Sequence, residues 1–222
     1  MSKLPNDMKD YFSGHKLYGD EFEINDIIEW FKNEETGYAD LGAKENDKYN
    51  YVYHASNWFY GFRYLRNKYF NNSLGLGSVY GDEFIPIARQ IENIAIVDSS
   101  SHFVVSDIED TSVTYFKASE TGKLPFDDNA FELVTCFGVL HHIPNVSYVV
   151  SEIFRCTDYR GIVLIREPTT SMGDWRKTRK GLTKRERGIP LKIMKEIFQK
   201  TGFEIEKFSH CFFPLIPRIW KI

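Results

Sequence analysis

Cysteine is scarce in this chain: only Cys136, Cys156 and Cys211 are present. An odd number of thiols without C-x-x-C spacing, in apolar surroundings, gives neither a disulfide framework nor a zinc site. They are expected to be reduced core thiols of a cytoplasmic protein, with no metal bound. Long apolar runs are missing too, and no stretch approaches the roughly eighteen residues of a membrane span. The first ten residues, Met1–Asp10, are polar and charged, so no secretory leader is expected. There are no internal repeats and no low-complexity tracts. What is abundant is aromatic: 16% of 222 residues are Phe, Trp or Tyr, which excludes a disordered chain. The length suits one domain with additions.

The net charge of −3 conceals an asymmetry. Residues 1–50 carry six Lys/Arg against twelve Asp/Glu, and residues 151–222 carry sixteen against eight. The positive excess is densest from Arg176 to Arg187. Such a run is either a solvated face or a cradle for an anionic substrate such as a phosphate, because Arg and Lys supply matched donors. A net acidic chain without an RNA-binding motif or a stacked-aromatic strand pattern argues against nucleic acid as the partner. A small-molecule substrate is expected; the sequence does not set the oligomeric state.

The first seventy residues read as helical. Glu23–Asn33 places Ile24, Ile27, Ile28 and Phe31 on one side of a helix. Glu34–Asp47 is polar, with Gly37 and Gly42, and is expected to be a loop. Tyr49–Phe70 is expected to form a longer helix dense in aromatics, carrying His54 and Asn57 in its first half. Residues 1–70 therefore form an N-terminal helical cap, laid over a core made of residues 71–222.

From residue 71 the pattern alternates. Strands are expected at Ser73–Leu76, Ala95–Asp98, Val113–Lys117, Leu133–Phe137, Ile162–Glu167 and Phe203–Cys211. Helices fit at Asp82–Ile91, His102–Ile108, Val146–Arg155 and Leu191–Thr201, the last entered through Pro190 and stopped at Gly202. Short apolar strands joined by helices imply an α/β fold, a doubly wound and mainly parallel sheet of Rossmann-like type. Ligands of such sheets bind at the carboxyl ends of the strands.

One stretch organises the rest. Between Asn72 and Gly81 the chain has three glycines within seven residues, Gly75, Gly77 and Gly81, after a strand and before a helix-like segment. Backbone N–H groups lie open to a ligand in such a loop because no Cβ intervenes. Asp98, at the tip of the second strand, is placed to accept bonds from a ribose. The pair suggests a nucleoside-bearing cofactor held between Gly75–Gly81 and Asp98, although glycine turns also serve tight helix–strand packing.

Further along runs Lys123-Leu124-Pro125-Phe126, then Val139-Leu140-His141-His142-Ile143-Pro144 after the fourth strand. With both earlier features in register, residues 71–213 resemble the class I S-adenosylmethionine-dependent methyltransferases, in the branch with L-P-F and V-L-H-H. The resemblance implies S-adenosylmethionine as cofactor, with contacts from Gly75, Gly77, Asp98, Ser99, Ser119, Glu120, Phe137 and Gly138; the aromatic density of the cap adds Tyr51 and His54 as expected contributors near the methyl. It departs at Ser73, where an acid commonly opens the first motif, and at the third glycine, displaced to Gly81. Ala118-Ser119-Glu120 stands where an adenine-side acid is common. The tail Phe212–Ile222 has two prolines and makes a poor last strand, so the sheet is expected to be completed otherwise or by residues beyond this chain.

Transfer of an activated methyl to a hydroxyl needs alignment, exclusion of water and removal of a proton. Histidine suits the last task. His141 and His142 fall just past the fourth strand, and Glu167 ends the fifth on the same edge, so these three are the candidate catalytic residues. The bland alternatives are a histidine bonded to backbone and a capping or salt-bridged carboxylate. The segment Gly181–Pro190 resembles bacterial methyltransferases of surface-sugar pathways, which implies a nucleotide-linked or polysaccharide sugar as acceptor. Methylation of an amine, a nicotinamide-dependent oxidoreductase and a non-catalytic subunit of the same fold are the other readings.

Overall fold

The computed structural model describes residues 6–45, 51–100 and 104–211, and of residues 38–45 the backbone alone. Six strands form one sheet, β1 (Phe70–Leu76), β2 (Ile91–Asp98), β3 (Asp107–Ile108), β4 (Thr111–Lys117), β5 (Phe131–Phe137) and β6 (Thr157–Arg166), in the order β3-β4-β2-β1-β5-β6. All neighbours pair parallel except β3 with β4. The expected mainly parallel, doubly wound fold is what the chain adopts. Parallel strands covered on both faces must be apolar throughout, and Leu74, Ile94, Ile96, Leu133, Val134 and Cys136 are all at most 1% exposed.

One sheet face packs Leu74, Leu76, Val97, Val134 and Cys136 under α4 (Val146–Cys156) and α5 (Leu191–Thr201). The same cluster takes in Met8, Tyr11, Leu17 and Trp30 from the N-terminal segment, and Trp175 and Ile189 from the segment after β6. The other face packs Ile94, Ile96 and Leu133 under Phe62, Leu65, Phe84 and Ile87. α5 begins after Pro190 and ends at Gly202, whose φ of +115° suits the residue closing a helix. Cys136, Cys156 and Cys211 are free thiols.

Several expected elements differ. After the short α1 (Lys9–Phe12), α2 runs from Ile24 to Glu45, through the segment expected to be a loop. Gly37 there is a contact glycine: a Cβ would sit 3.4 Å from the Thr183 side chain. The long aromatic helix is instead α3 (His54–Tyr60) and a 3-10 turn at Phe62–Leu65, divided at Gly61, and Phe70 already belongs to β1. Asp82–Gln90 is 3-10 rather than α-helical, since Pro86 inside it lacks an N–H. No helix occupies 104–108; Asp107–Ile108 instead pairs with β4 across Glu109 and Asp110, both at positive φ as a two-residue hairpin turn requires. Residues 203–211 make no ladder and lie largely exposed, with Phe203 anchored against Phe154 and Phe198. The tail beyond Cys211 lies outside the described residues. No helix among the described residues is long and apolar enough to cross a membrane.

Candidate active site

At the carboxyl edge of the sheet two groups of residues flank the end of β5, one on each face. The first surrounds the glycine loop. Gly77, at φ +65°, donates its N–H to the Val97 carbonyl at 2.7 Å, which ties the loop to β2. A Cβ at Gly75 would lie 2.2 Å from Ser78 Oγ, and one at Gly77 2.5 Å from Val139. Both glycines thus serve close protein packing around the loop. Val79 also adopts positive φ, +53°, although its side chain is β-branched and buried, a strained conformation of the sort that collects at ligand sites. Its N–H donates to Asp98 Oδ2 at 3.1 Å, and Ser100 N–H donates to Oδ1 at 3.1 Å. Burial raises the Asp98 pKa, against the lowering effect of those bonds and of Ser99.

Glu83, which sequence reasoning missed, lies below the loop. Its Oε1 accepts from Ser78 Oγ and, at 3.3 Å, from Thr135 Oγ1. Burial pushes its pKa up to about 7. The segment leading into α3 closes the far side. Asn57 Nδ2 donates to the Tyr51 hydroxyl at 2.6 Å, and Arg166 donates to Asn57 Oδ1 at 2.8 Å while lying 3.9 Å over the Tyr53 ring. His54 packs against Tyr51 at 4.9 Å, with its Nδ1 buried and without a hydrogen-bond partner. Phe137 packs between Phe62 and Arg166. Gly138, at φ +78°, donates to the Arg166 carbonyl. Ser119 bonds Thr121, and Glu120, exposed at the rim, pairs with Lys32 at 3.5 Å.

The second group lies on the other face. Glu167 Oε1 accepts the N–H groups of Val139 and Leu140, both at 2.7 Å, and its Oε2 lies 2.7 Å from His141 Nδ1. His141 Nε2 lies 3.6 Å from Glu186. Burial disfavours a charged His141, but Glu167 and Glu186 outweigh it and hold its pKa up to about 9. The same pairing brings Glu186 down to about 2 despite burial. His142 is paired separately: its Nδ1 lies 2.7 Å from Glu34 Oε2, and 23% of its side chain stays exposed. Thr183 donates its hydroxyl to Glu34, and Arg185 N–H donates to the other Glu34 oxygen at 2.6 Å. His141, His142 and Glu186 offer ligand atoms within 4.8 Å of one another. Each is also engaged with a protein partner: His141 with Glu167 and Glu186, and His142 with Glu34.

Glu34 and Glu186 escaped the sequence reading, Glu34 because it stood in the expected loop. The basic run resolves into two kinds of residue. Arg176 pairs with Asp174 at 2.8 Å, Arg179 donates to the carbonyls of Met172, Thr183, Lys184 and Glu186, and Arg187 is fully buried against Trp30 and Pro144. Lys177, Lys180 and Lys184 remain exposed.

A family model described as a methyltransferase domain matches residues 74–165. This stretch is a methyltransferase domain. Among solved structures, the S-adenosylmethionine dependent methyltransferase from Mesorhizobium loti is similar over 75% of this chain and 88% of its own, at 17% identity and a TM-score of 0.57. A SAM-dependent methyltransferase from Leishmania major is similar over 83% and 74%, at 10% identity and 0.57. The [4+2]-cyclase SpnF shares the fold over 64% and 54%, at 20% identity and 0.51, so these likenesses speak for the fold. No curated protein sequence matches.

The cofactor of the methyltransferase domain is S-adenosylmethionine, and the charges fit it. Asp98 and Glu83 are desolvated carboxylates on either side of the glycine loop, and the stretch Asn72–Glu83 contains no Lys or Arg. A cationic ligand is favoured between such groups; the pyrophosphate of a dinucleotide would be repelled. The 3-10 segment after the loop also presents no regular α-helix N-terminus to a phosphate. Gly75, Gly77, Asp98 and Ser99 would hold the nucleoside end, with Tyr51, His54, Phe137 and Gly138 towards the methyl.

Proposed function

We propose that the chain moves the methyl group to a hydroxyl of a small, anionic acceptor, of the kind represented by a nucleotide-linked or surface-polysaccharide sugar. When bound, S-adenosylmethionine supplies a methyl already activated on a sulfonium sulfur. The chain's own residues then have to orient the hydroxyl, exclude water and take its proton. The observation that carries this reading is the His142–Glu34 pair at 2.7 Å, a part-exposed imidazole oriented by a buried carboxylate just past the end of β5. An amine acceptor needs no such pair, because it can attack unaided and lose its proton afterwards.

His141 takes a different part. A protonated imidazole cannot accept a second proton, so His141, held charged between Glu167 and Glu186, fixes the turn that carries His142 and adds positive charge at the site. Glu167 holds that turn through Val139 and Leu140. The anionic character of the acceptor is supported by the exposed lysines on the same segment as Glu186, Lys180 together with Lys177 and Lys184, of which Lys177 lies 3.8 Å from Asp174 and Lys184 donates to Asn33.

A methyl-transfer screen tests the acceptor class by presenting nucleotide sugars, free sugar phosphates, lipids, amino sugars and small RNAs side by side with labelled S-adenosylmethionine. Label is expected in a phosphorylated or nucleotide-linked sugar, released by chemistry that cleaves ethers and not amines. Label in RNA or in the amino group of an amino sugar overturns the reading.

A further inference from the structure

Glu83 and Asp98 grip the glycine loop from opposite sides. Asp98 holds Val79 through its backbone N–H, and Glu83 holds Ser78 through its hydroxyl. Thr135, the second donor to Glu83, is the register partner of Gly75 across β1 and β5. The Glu83 carboxylate is therefore fixed under the loop at the junction of the two central strands, with the residue 3% exposed. Among the described residues no lysine meets it. Its bonds come from two hydroxyls and its own backbone N–H, all neutral donors.

We propose that Glu83 is a positioning residue for the cofactor: it braces the loop and provides the negative charge that offsets bound S-adenosylmethionine. This rests on S-adenosylmethionine being the cofactor.

The surrounding groups support it. Facing Glu83 are Tyr51 from the segment before α3, Cys136 on β5 and Arg166 on β6. Tyr51 and Cys136 are themselves pushed up by burial and by the Glu83 charge. Arg166 draws Glu83 down but is committed to Asn57 and the Tyr53 face. Asp82, next along the chain, is raised by burial, with His54 its opposing neighbour. Among the described residues Arg166 is the cation that draws on Glu83, and burial outweighs it, holding the Glu83 pKa up to about 7. A cation arriving at the loop favours the carboxylate; the O–H bond of the acid breaks and the proton goes to solvent. S-adenosylmethionine carries sulfonium and ammonium charges against one carboxylate. The demethylated product lacks the sulfonium charge but keeps the same ammonium group, so comparing the two isolates the sulfonium. The coupling therefore also helps the site tell cofactor from spent product.

Calorimetric titration of the full chain with S-adenosylmethionine and with S-adenosylhomocysteine at pH 6, 7 and 8, in buffers of different ionisation enthalpy, tests this. The cofactor's affinity is expected to rise ~3- to 10-fold more than that of the product across this range, because one pKa unit corresponds to tenfold. A fraction of a proton should be released per cofactor bound near pH 7. In Glu83→Gln, whose amide oxygen can still accept from Ser78 and Thr135, the difference between the two ligands should become independent of pH. An unchanged difference in that variant, or no proton release by the parent beyond that seen with the product, overturns the proposal. If the variant does not fold, the parent's proton count decides alone. Failure of the parent to bind S-adenosylmethionine at all would remove the cofactor as well, whereas binding without the pH-dependent difference removes only the role of Glu83.

Discussion

Replacing His142 with Ala is expected to lower kcat by about 10²–10⁴-fold, the usual worth of a positioned general base. The affinity for S-adenosylmethionine should stay at the parental value, since His142 lies on the face away from Ser78 and Asp98. Glu34→Gln should fall in the same direction, because the amide cannot stabilise the imidazolium formed when His142 takes the proton. His141→Ala is expected to act through structure: it leaves Glu167 and Glu186 facing each other without their shared cation, and chiefly lowers stability. Single-turnover rates with the acceptor found in the screen, beside cofactor titrations, separate these outcomes. Parental kcat in both His142→Ala and His141→Ala would mean that the nucleophile needs no base, and an amine acceptor would replace the hydroxyl.

Removing residues 1–19 is expected to unfold the protein. Met8, Tyr11 and Leu17 are 3%, 1% and 7% exposed and belong to the cluster that holds Val134 and Cys136 of the central strand. Tyr18 packs on Trp175 at 6.4 Å, and Trp175 on Trp30 at 5.3 Å. Burial of each large apolar side chain contributes about 1.5–3 kcal/mol, so the three together supply ~5–9 kcal/mol. Whole domains are stable by about 5–15 kcal/mol. Thermal unfolding followed by circular dichroism should show a melting temperature lowered by more than ten degrees or no cooperative transition. A truncated chain that melts with the parent would show this segment to be an appendage.

The alternating apolar runs made the sheet legible, because strands covered on both faces have little choice of residue. The glycine loop and Asp98 were legible for a related reason: close packing and positive φ leave a mark in residue type. What failed to show was anything fixed by long-range contact. Gly37 looked like a loop residue and is instead where α2 approaches Thr183. Glu34, unremarkable in a polar stretch, meets His142 over 108 positions of sequence. Glu83 falls at the start of an expected helix with nothing to single it out, and is enclosed beneath the loop. The Arg176–Arg187 run carried the opposite error: its charge is plain in sequence, but its four arginines are turned to carbonyls and carboxylates of the protein.

The central claim is that Gly75, Gly77 and Asp98 hold S-adenosylmethionine. Calorimetric titration of the parent chain and of Asp98→Ala with S-adenosylmethionine and with NAD tests it most directly. The account predicts that the parent binds S-adenosylmethionine and not NAD. It also predicts that the variant loses about 1–3 kcal/mol of that binding, because the Val79 and Ser100 N–H groups and the ribose hydroxyls lose their acceptor. Binding of NAD in preference, binding of neither ligand, or undiminished S-adenosylmethionine affinity in Asp98→Ala would contradict it.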